Sequence, residues 1–136
     1  MIFLKTDEEI ELIRKSGDLL GRLHAKLSKL IQPGVTTIKL DQYAEEFIKD
    51  HGGYPSFKGY KVKSHKKGFP CSLCISVNDQ VVHGIASENQ LNEGDIVSID
   101  CGILLNGFHS DSAYTYPVGI ISDEVAHLLK ITKESL

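Results

Sequence analysis

Asn106-Gly107 stands between two runs of apolar and β-branched residues within the stretch Asp95 to Gly119. A two-residue type I′ turn needs positive φ at both central positions, which Asn-Gly tolerates, so the stretch predicts a β-hairpin. Each run carries an aspartate inside it, Asp100 in the first and Asp111 in the second, where a strand favours an apolar residue. With the turn centred on Asn106-Gly107, Asp111 lies opposite Gly102, which is two residues from Asp100. Opposite residues and residues two apart share a face of a sheet. Asp100 and Asp111 are therefore diagonal neighbours on one face, expected to be an inner one. At about 5 Å and an effective dielectric of about 20, two carboxylates repel by roughly 3 kcal/mol. A divalent cation between them would remove that cost. The plainer alternative is one aspartate capping a turn and the other paired with a lysine. His109 shares the face of Asp111 and is nominated by pattern alone as a third ligand, although a packing or supporting role is the simpler one.

Bulk properties narrow the rest. A length of 136 residues predicts one domain. A net charge of −3 argues neither for nucleic acid nor against it. No apolar run approaches the roughly 18 residues needed to span a bilayer, so no membrane partner is expected. The N-terminus lacks a basic region followed by an apolar core, hence no secretion signal is expected. Three cysteines do not make a disulfide framework, and a reducing, cytoplasmic location fits best.

Thr6 to Ile31 predicts a long helix, with Thr6 and Glu9 as a capping box. Ile13, Leu20 and Leu27 recur on one stripe, with Leu23 and Leu30 beside them. Gly17 and Gly21, one turn apart, would allow close packing against another element. Pro33-Gly34 ends the helix. A second helix starts at Thr36 or Thr37, with Leu40, Tyr43, Ala44, Phe47 and Ile48 on one face, and Gly52-Gly53 ends it. Tyr54 to Pro70 reads as loop, locally basic through Lys58, Lys61, Lys63, Lys66 and Lys67. A solvated loop is the simplest account, and contact with an anionic partner such as RNA the sharper one. Cys71 to Val77 predicts a strand, Asn78-Asp79 a turn and Val81 to His83 a short return strand. Ser122 and Asp123 open a third helix with Val125, Leu128, Leu129 and Thr132 on one face. Cys71 and Cys74 have a redox or zinc spacing, but within a strand they would face opposite sides and no second pair exists. His83 ends its strand next to Gly84, whose lack of a side chain allows close backbone approach.

Taken in order, Gly68-Phe69-Pro70-Cys71-Ser72-Leu73-Cys74-Ile75-Ser76-Val77-Asn78, Val82-His83-Gly84-Ile85, Asp95-Ile96-Val97-Ser98-Ile99-Asp100 and Asn106-Gly107-Phe108-His109-Ser110-Asp111 closely resemble type I methionine aminopeptidase. The opening helix and Ile31-Gln32-Pro33-Gly34-Val35-Thr36 resemble it as well. The resemblance implies an α/β (α+β) pita-bread fold, two pseudo-symmetric halves with a dinuclear metal site between them. Residues 1–136 would be the N-terminal portion of that single catalytic domain, truncated at the C-terminus. It implies removal of the initiator methionine from nascent peptides by hydrolysis at two divalent ions, Co, Mn, Fe or Zn. By motif match, Asp100 and Asp111 are metal ligands, and His83 is a catalytic residue that contacts the substrate near the scissile amide. Phe69 and Cys74 line the pocket for the methionine side chain. His109 matches a position that is not a ligand. The segment Lys61 to Lys67 looks like an insertion beside that pocket, and its lysines suggest transient ribosome contact.

The remaining ligands of that family come from its second half. Alone, this chain is expected to be inactive, with a partial or empty metal site, and to self-associate through an uncovered apolar surface. A non-catalytic protein- or RNA-binding pita-bread module and an Xaa-Pro peptidase relative are the alternatives. Two costly carboxylates and His83 argue against the first, and the Phe69 to Asn78 stretch argues against the second.

Overall fold

Strand β3 (Ile96–Leu105) lies at the centre of the sheet in the computed structural model, which describes residues 3–61 and 67–136. On one side it pairs antiparallel with β4 (Phe108–Pro117) along its whole length, from Leu105↔Phe108 to Ile96↔Pro117. The connecting Asn106 and Gly107 have φ of 52° and 83°, the left-handed pair that a type I′ turn requires. On the other side β2 (Leu73–Val77) pairs antiparallel with Val97 to Cys101. The two-residue β1 (Tyr54–Pro55) follows along the same edge, opposite Leu104 and Ile103.

The two faces of β3 differ. Val97, Ile99, Cys101 and Ile103 are fully buried, together with Leu73 and Ile75 of β2. They pack against Leu19, Leu20, Leu23 and Leu27 of α1 (Asp7–Leu30) and Leu40, Ala44, Phe47 and Ile48 of α2 (Thr37–Asp50). Each such leucine or isoleucine contributes about 1.5–3 kcal/mol by leaving water. The alternate residues Ile96, Ser98, Asp100 and Leu104 are only half-buried. The aspartates thus lie on the open face, not on an inner one. Both helices are recruited by the more apolar face and leave the other free.

The helix boundaries follow the sequence closely. Thr6 Oγ1 accepts a hydrogen bond from the Glu9 amide at 3.2 Å, and Glu9 returns one to the Thr6 amide at 2.9 Å. Close approach of α1 to the hairpin occurs at Ser16, not at Gly17 or Gly21, where an added Cβ would meet open space. The buried Ser16 hydroxyl donates to the Ile103 carbonyl at 3.0 Å and lies 2.8 Å from the Ser110 hydroxyl. One small polar residue therefore locks the helix to both strands. Thr36 caps α2 without a side-chain bond, and Thr37 Oγ1 instead donates to the Ser87 carbonyl.

Two further expectations change. The strand predicted from Cys71 begins at Leu73, because Ser72 and Leu73 donate their amides to the Asp41 carboxylate at the strand's entry. Val81 to His83 form no strand. The third helix, α3 (Asp123–Glu134), forms as expected with Ser122 as its cap, but none of its residues is buried. Val125, Leu128, Leu129 and Thr132 thus do not bury the face they share. Among the described residues no helix is long and apolar enough to cross a membrane.

His24 ties α1 to β4. Its Nδ1 lies 2.9 Å from the Tyr116 hydroxyl and its Nε2 3.2 Å from the Ser112 carbonyl. Burial lowers its pKa, and the Ser112 carbonyl opposes that shift. A histidine held neutral in the fold contributes stability above its unfolded pKa, about 6.5, and loses it as pH falls below that value. The melting temperature should therefore drop more steeply between pH 7.5 and 5 in the natural chain than in H24Q, which cannot titrate. Parallel melting curves across that range would refute the assignment.

A candidate metal centre on the open face of the sheet

Asp111 pairs with Gly102 and Asp100 with Ala113, so the two carboxylates are diagonal neighbours on the open face. Cys74 pairs with Asp100 from β2 and joins the same face. It is buried yet outside the hydrophobic cluster, whereas Cys71, three residues earlier, belongs to that cluster. All three cysteines are free thiols. Burial first, and then the neighbouring Asp100 carboxylate, push the Cys74 thiol up to about 11.

Asp100 is the strained member of the pair. Its Oδ1 is buried and has no hydrogen-bond partner. Burial raises its pKa, the Asp111 charge raises it further, and His83 partly opposes both. An ionised oxygen left without a donor carries its full desolvation penalty. A proton or a cation relieves it. Two carboxylates, one with an orphaned oxygen, fit a divalent ion that prefers oxygen ligands. Among the described residues, however, no group of three or more histidine, cysteine or acidic side chains comes together to hold an ion. Two carboxylates are fewer than the three or more protein ligands that a catalytic ion normally has.

His83 reaches this face by a route that the sequence disguised. After the turn at Asn78 (φ 53°), the chain folds back beside the free edge of β2 without forming a strand. The Ile75 amide donates to the Gly84 carbonyl at 2.9 Å, and the Gly84 amide donates to the Ser76 hydroxyl at 3.1 Å. A Cβ on Gly84 would strike the Ile75 carbonyl. The glycine thus permits the close approach, and His83 is held beside it at φ 58°.

Phe69 is half-buried against the core cluster, at the base of the basic loop. There the Gly59 amide donates to the Phe69 carbonyl at 2.8 Å and the Phe69 amide to the Tyr60 carbonyl at 2.9 Å. Lys58 pairs with Glu45 of α2. Lys61 and Lys67 are exposed, and Lys63 and Lys66 lie outside the described residues. His109 is not gathered with the carboxylates as a ligand, because its Nδ1 lies 2.9 Å from the Ser56 hydroxyl.

Sequence reasoning passed over two features. Asp41 is almost wholly buried and accepts the Ser72 and Leu73 amides, each at 2.8 Å. Its signal was a carboxylate on the apolar stripe of α2, between Leu40 and Ala44. The other feature is the Ser56–Phe57 segment, which lies over Gly102 on the open face. No local pattern marks it, since the contact joins residues far apart in the chain.

Two substitutions test this geometry. D100N removes an unpaired buried charge and should raise the melting temperature of the metal-free chain by about 2–4 °C; a lower value would show that Asp100 is not under strain. G84A should lower it by at least about 5 °C through the clash with Ile75, and an unchanged value would dismiss the close approach.

The chain has close counterparts. Residues 11–136 match the metallopeptidase family M24. A methionine aminopeptidase of Clostridium perfringens is 55% identical over 135 residues, covering 99% of this chain and 52% of that protein. The crystal structure of methionine aminopeptidase from Rickettsia prowazekii superimposes with a TM-score of 0.92 at 32% identity, over 98% of this chain and 52% of that one. The Xaa-Pro dipeptidase from Bacillus anthracis shares the fold at a TM-score of 0.79 and 26% identity, over 96% of this chain and 34% of that one. The chain thus spans about half the length of the curated relatives that it matches. A pita-bread half-fold, a carboxylate pair on its open face and a family match over nearly its whole length lead to one assignment: this chain belongs to metallopeptidase family M24.

Proposed function

We propose that this chain supplies the N-terminal half of a dinuclear-metal methionine aminopeptidase, acting in the cytoplasm on peptides that begin with methionine. The observation that carries the proposal is the orphaned Oδ1 of Asp100 beside Asp111 on the open face. Asp100 and Asp111 would hold the metal, with Co, Mn, Fe and Zn all compatible with such ligands. When bound, a pair of such ions supplies Lewis acidity and lowers the pKa of water. His83, held beside Gly84, contacts the substrate near the scissile amide and orients it. Cys74 and Phe69 line the pocket for the first side chain, where a buried neutral thiol suits a thioether. The basic loop would meet the ribosome through Lys58, Lys61, Lys63, Lys66 and Lys67. Lys58 would have to leave Glu45 to take part.

Relatives that are methionine aminopeptidases support methionine specificity. The fold shared with an Xaa-Pro dipeptidase makes that activity the comparison to run. The metal-loaded full-length polypeptide should hydrolyse Met-Ala-Ser and leave Xaa-Pro peptides intact. The reverse preference would replace the proposal with a prolidase-type function. The 136-residue chain by itself should be inactive, since two carboxylates are too few to hold an ion firmly. Micromolar Mn or Co binding by isothermal titration would overturn that. It should also self-associate through its unburied α3 face, and a clean monomer by light scattering at high concentration would count against this.

A further inference from the structure

The open face has a bridge across it that neither the carboxylates nor His83 explains. His109 stands on β4 opposite Leu104, on the same face as Asp111 two residues further on. Ser56 follows β1, which pairs on the other edge of β3. Ser56 donates its amide to the Gly102 carbonyl at 2.9 Å. Its hydroxyl reaches over the central strand to the His109 Nδ1 at 2.9 Å. The bridge closes over the one position of β3 without a side chain. A Cβ on Gly102 would lie 2.9 Å from the Ser56 Cβ and 3.0 Å from the Phe57 ring. Gly102 is also the residue opposite Asp111 and two along from Asp100.

We propose that His109 is a positioning residue: through Ser56 it holds the Phe57 ring down on Gly102, and this bridge forms one wall of the space above Asp100 and Asp111. A second observation supports the reading. Gly102 is buried although the alternate positions of β3 on that face are only half-buried, so the covering segment excludes water there. Ser56 and His109 are not themselves enclosed in the core. Their hydrogen bond therefore does little for the fold and acts on where the wall stands. If the peptidase proposal above holds, on which this inference rests for its catalytic consequence, the wall supports the first side chain of the substrate.

A wall that binds ground state and transition state alike changes KM and leaves kcat alone. In the metal-loaded full-length polypeptide, H109A and S56A should each raise KM for Met-Ala-Ser about fivefold, with kcat within about twofold. The S56A/H109A double variant should be no worse than either single one, because both remove the same bond. H109N places an amide where Nδ1 stands and should restore KM to within about twofold. H109Q, whose amide reaches the Nε2 position, should not. Additive effects, a fall in kcat matching the rise in KM, or failure of H109N to rescue would each overturn the proposal. The metal-free chain offers a reading that does not need activity. Its Phe57 ring proton resonances should shift alike in H109A and S56A and return in H109N. Should the natural enzyme not cleave Met-Ala-Ser while these shifts appear, the peptidase assignment fails and the bridge stands. Unshifted Phe57 resonances would sink the bridge whatever the activity.

Discussion

Everything in this structure depends on β3 being paired along both edges while its two faces meet opposite demands. One face, Val97, Ile99, Cys101 and Ile103, is buried under α1 and α2. The other carries Asp100 with an oxygen that finds no partner. Alone on a solvated hairpin, such a carboxylate would turn to water. Here the ladders to β2 and β4 fix its backbone, and the apolar face behind it supplies the stability that offsets the strain. The backbones of Asp100 and Asp111 are thereby held on a fixed diagonal, and a cation bound between them would find its ligands already placed.

The surroundings of the pair are shaped as much by missing side chains as by present ones. Gly84 lets the return segment approach the edge of β2 so closely that His83 is brought towards Asp100. Gly102 lets Ser56 and Phe57 settle on the central strand beside Asp111. At both places a methyl group would collide with a neighbour, so each glycine sets a distance and not merely a bend. Asp41 works from beneath. It anchors the entry of β2 through two backbone amides, and so fixes the strand that carries Cys74 opposite Asp100.

Much of this was legible in the chain. The Asn106-Gly107 turn, the opposition of Asp111 to Gly102, the helix caps at Thr6 and Ser122 and the buried stripes of α1 and α2 all follow from local periodicity and turn chemistry. What local pattern could not supply was the destination of each face. Whether Asp100 points towards the helices or away depends on which face is the more apolar when β2, β3 and β4 are summed. The return segment at Val81 to His83 misled because valine favours strands, while the Gly84 contact with Ile75 dictates otherwise. Ser56, Phe57 and Asp41 escaped because their partners lie 31 to 53 residues away. The apolar stripe of α3 was read correctly, yet nothing among the described residues buries it.

The type I′ turn has a consequence for how such a chain can change in length. Side chains alternate strictly along β4, so inserting or deleting one residue at Asn106-Gly107 would exchange its two faces. Asp111 would then point into the leucines of α1, and Tyr116, with its bond to His24, would swing out to solvent. A change of two residues would preserve both faces and merely slide them along β3. The hairpin thus imposes a parity rule: even steps in loop length keep both faces, while odd steps must be absorbed by a compensating bulge.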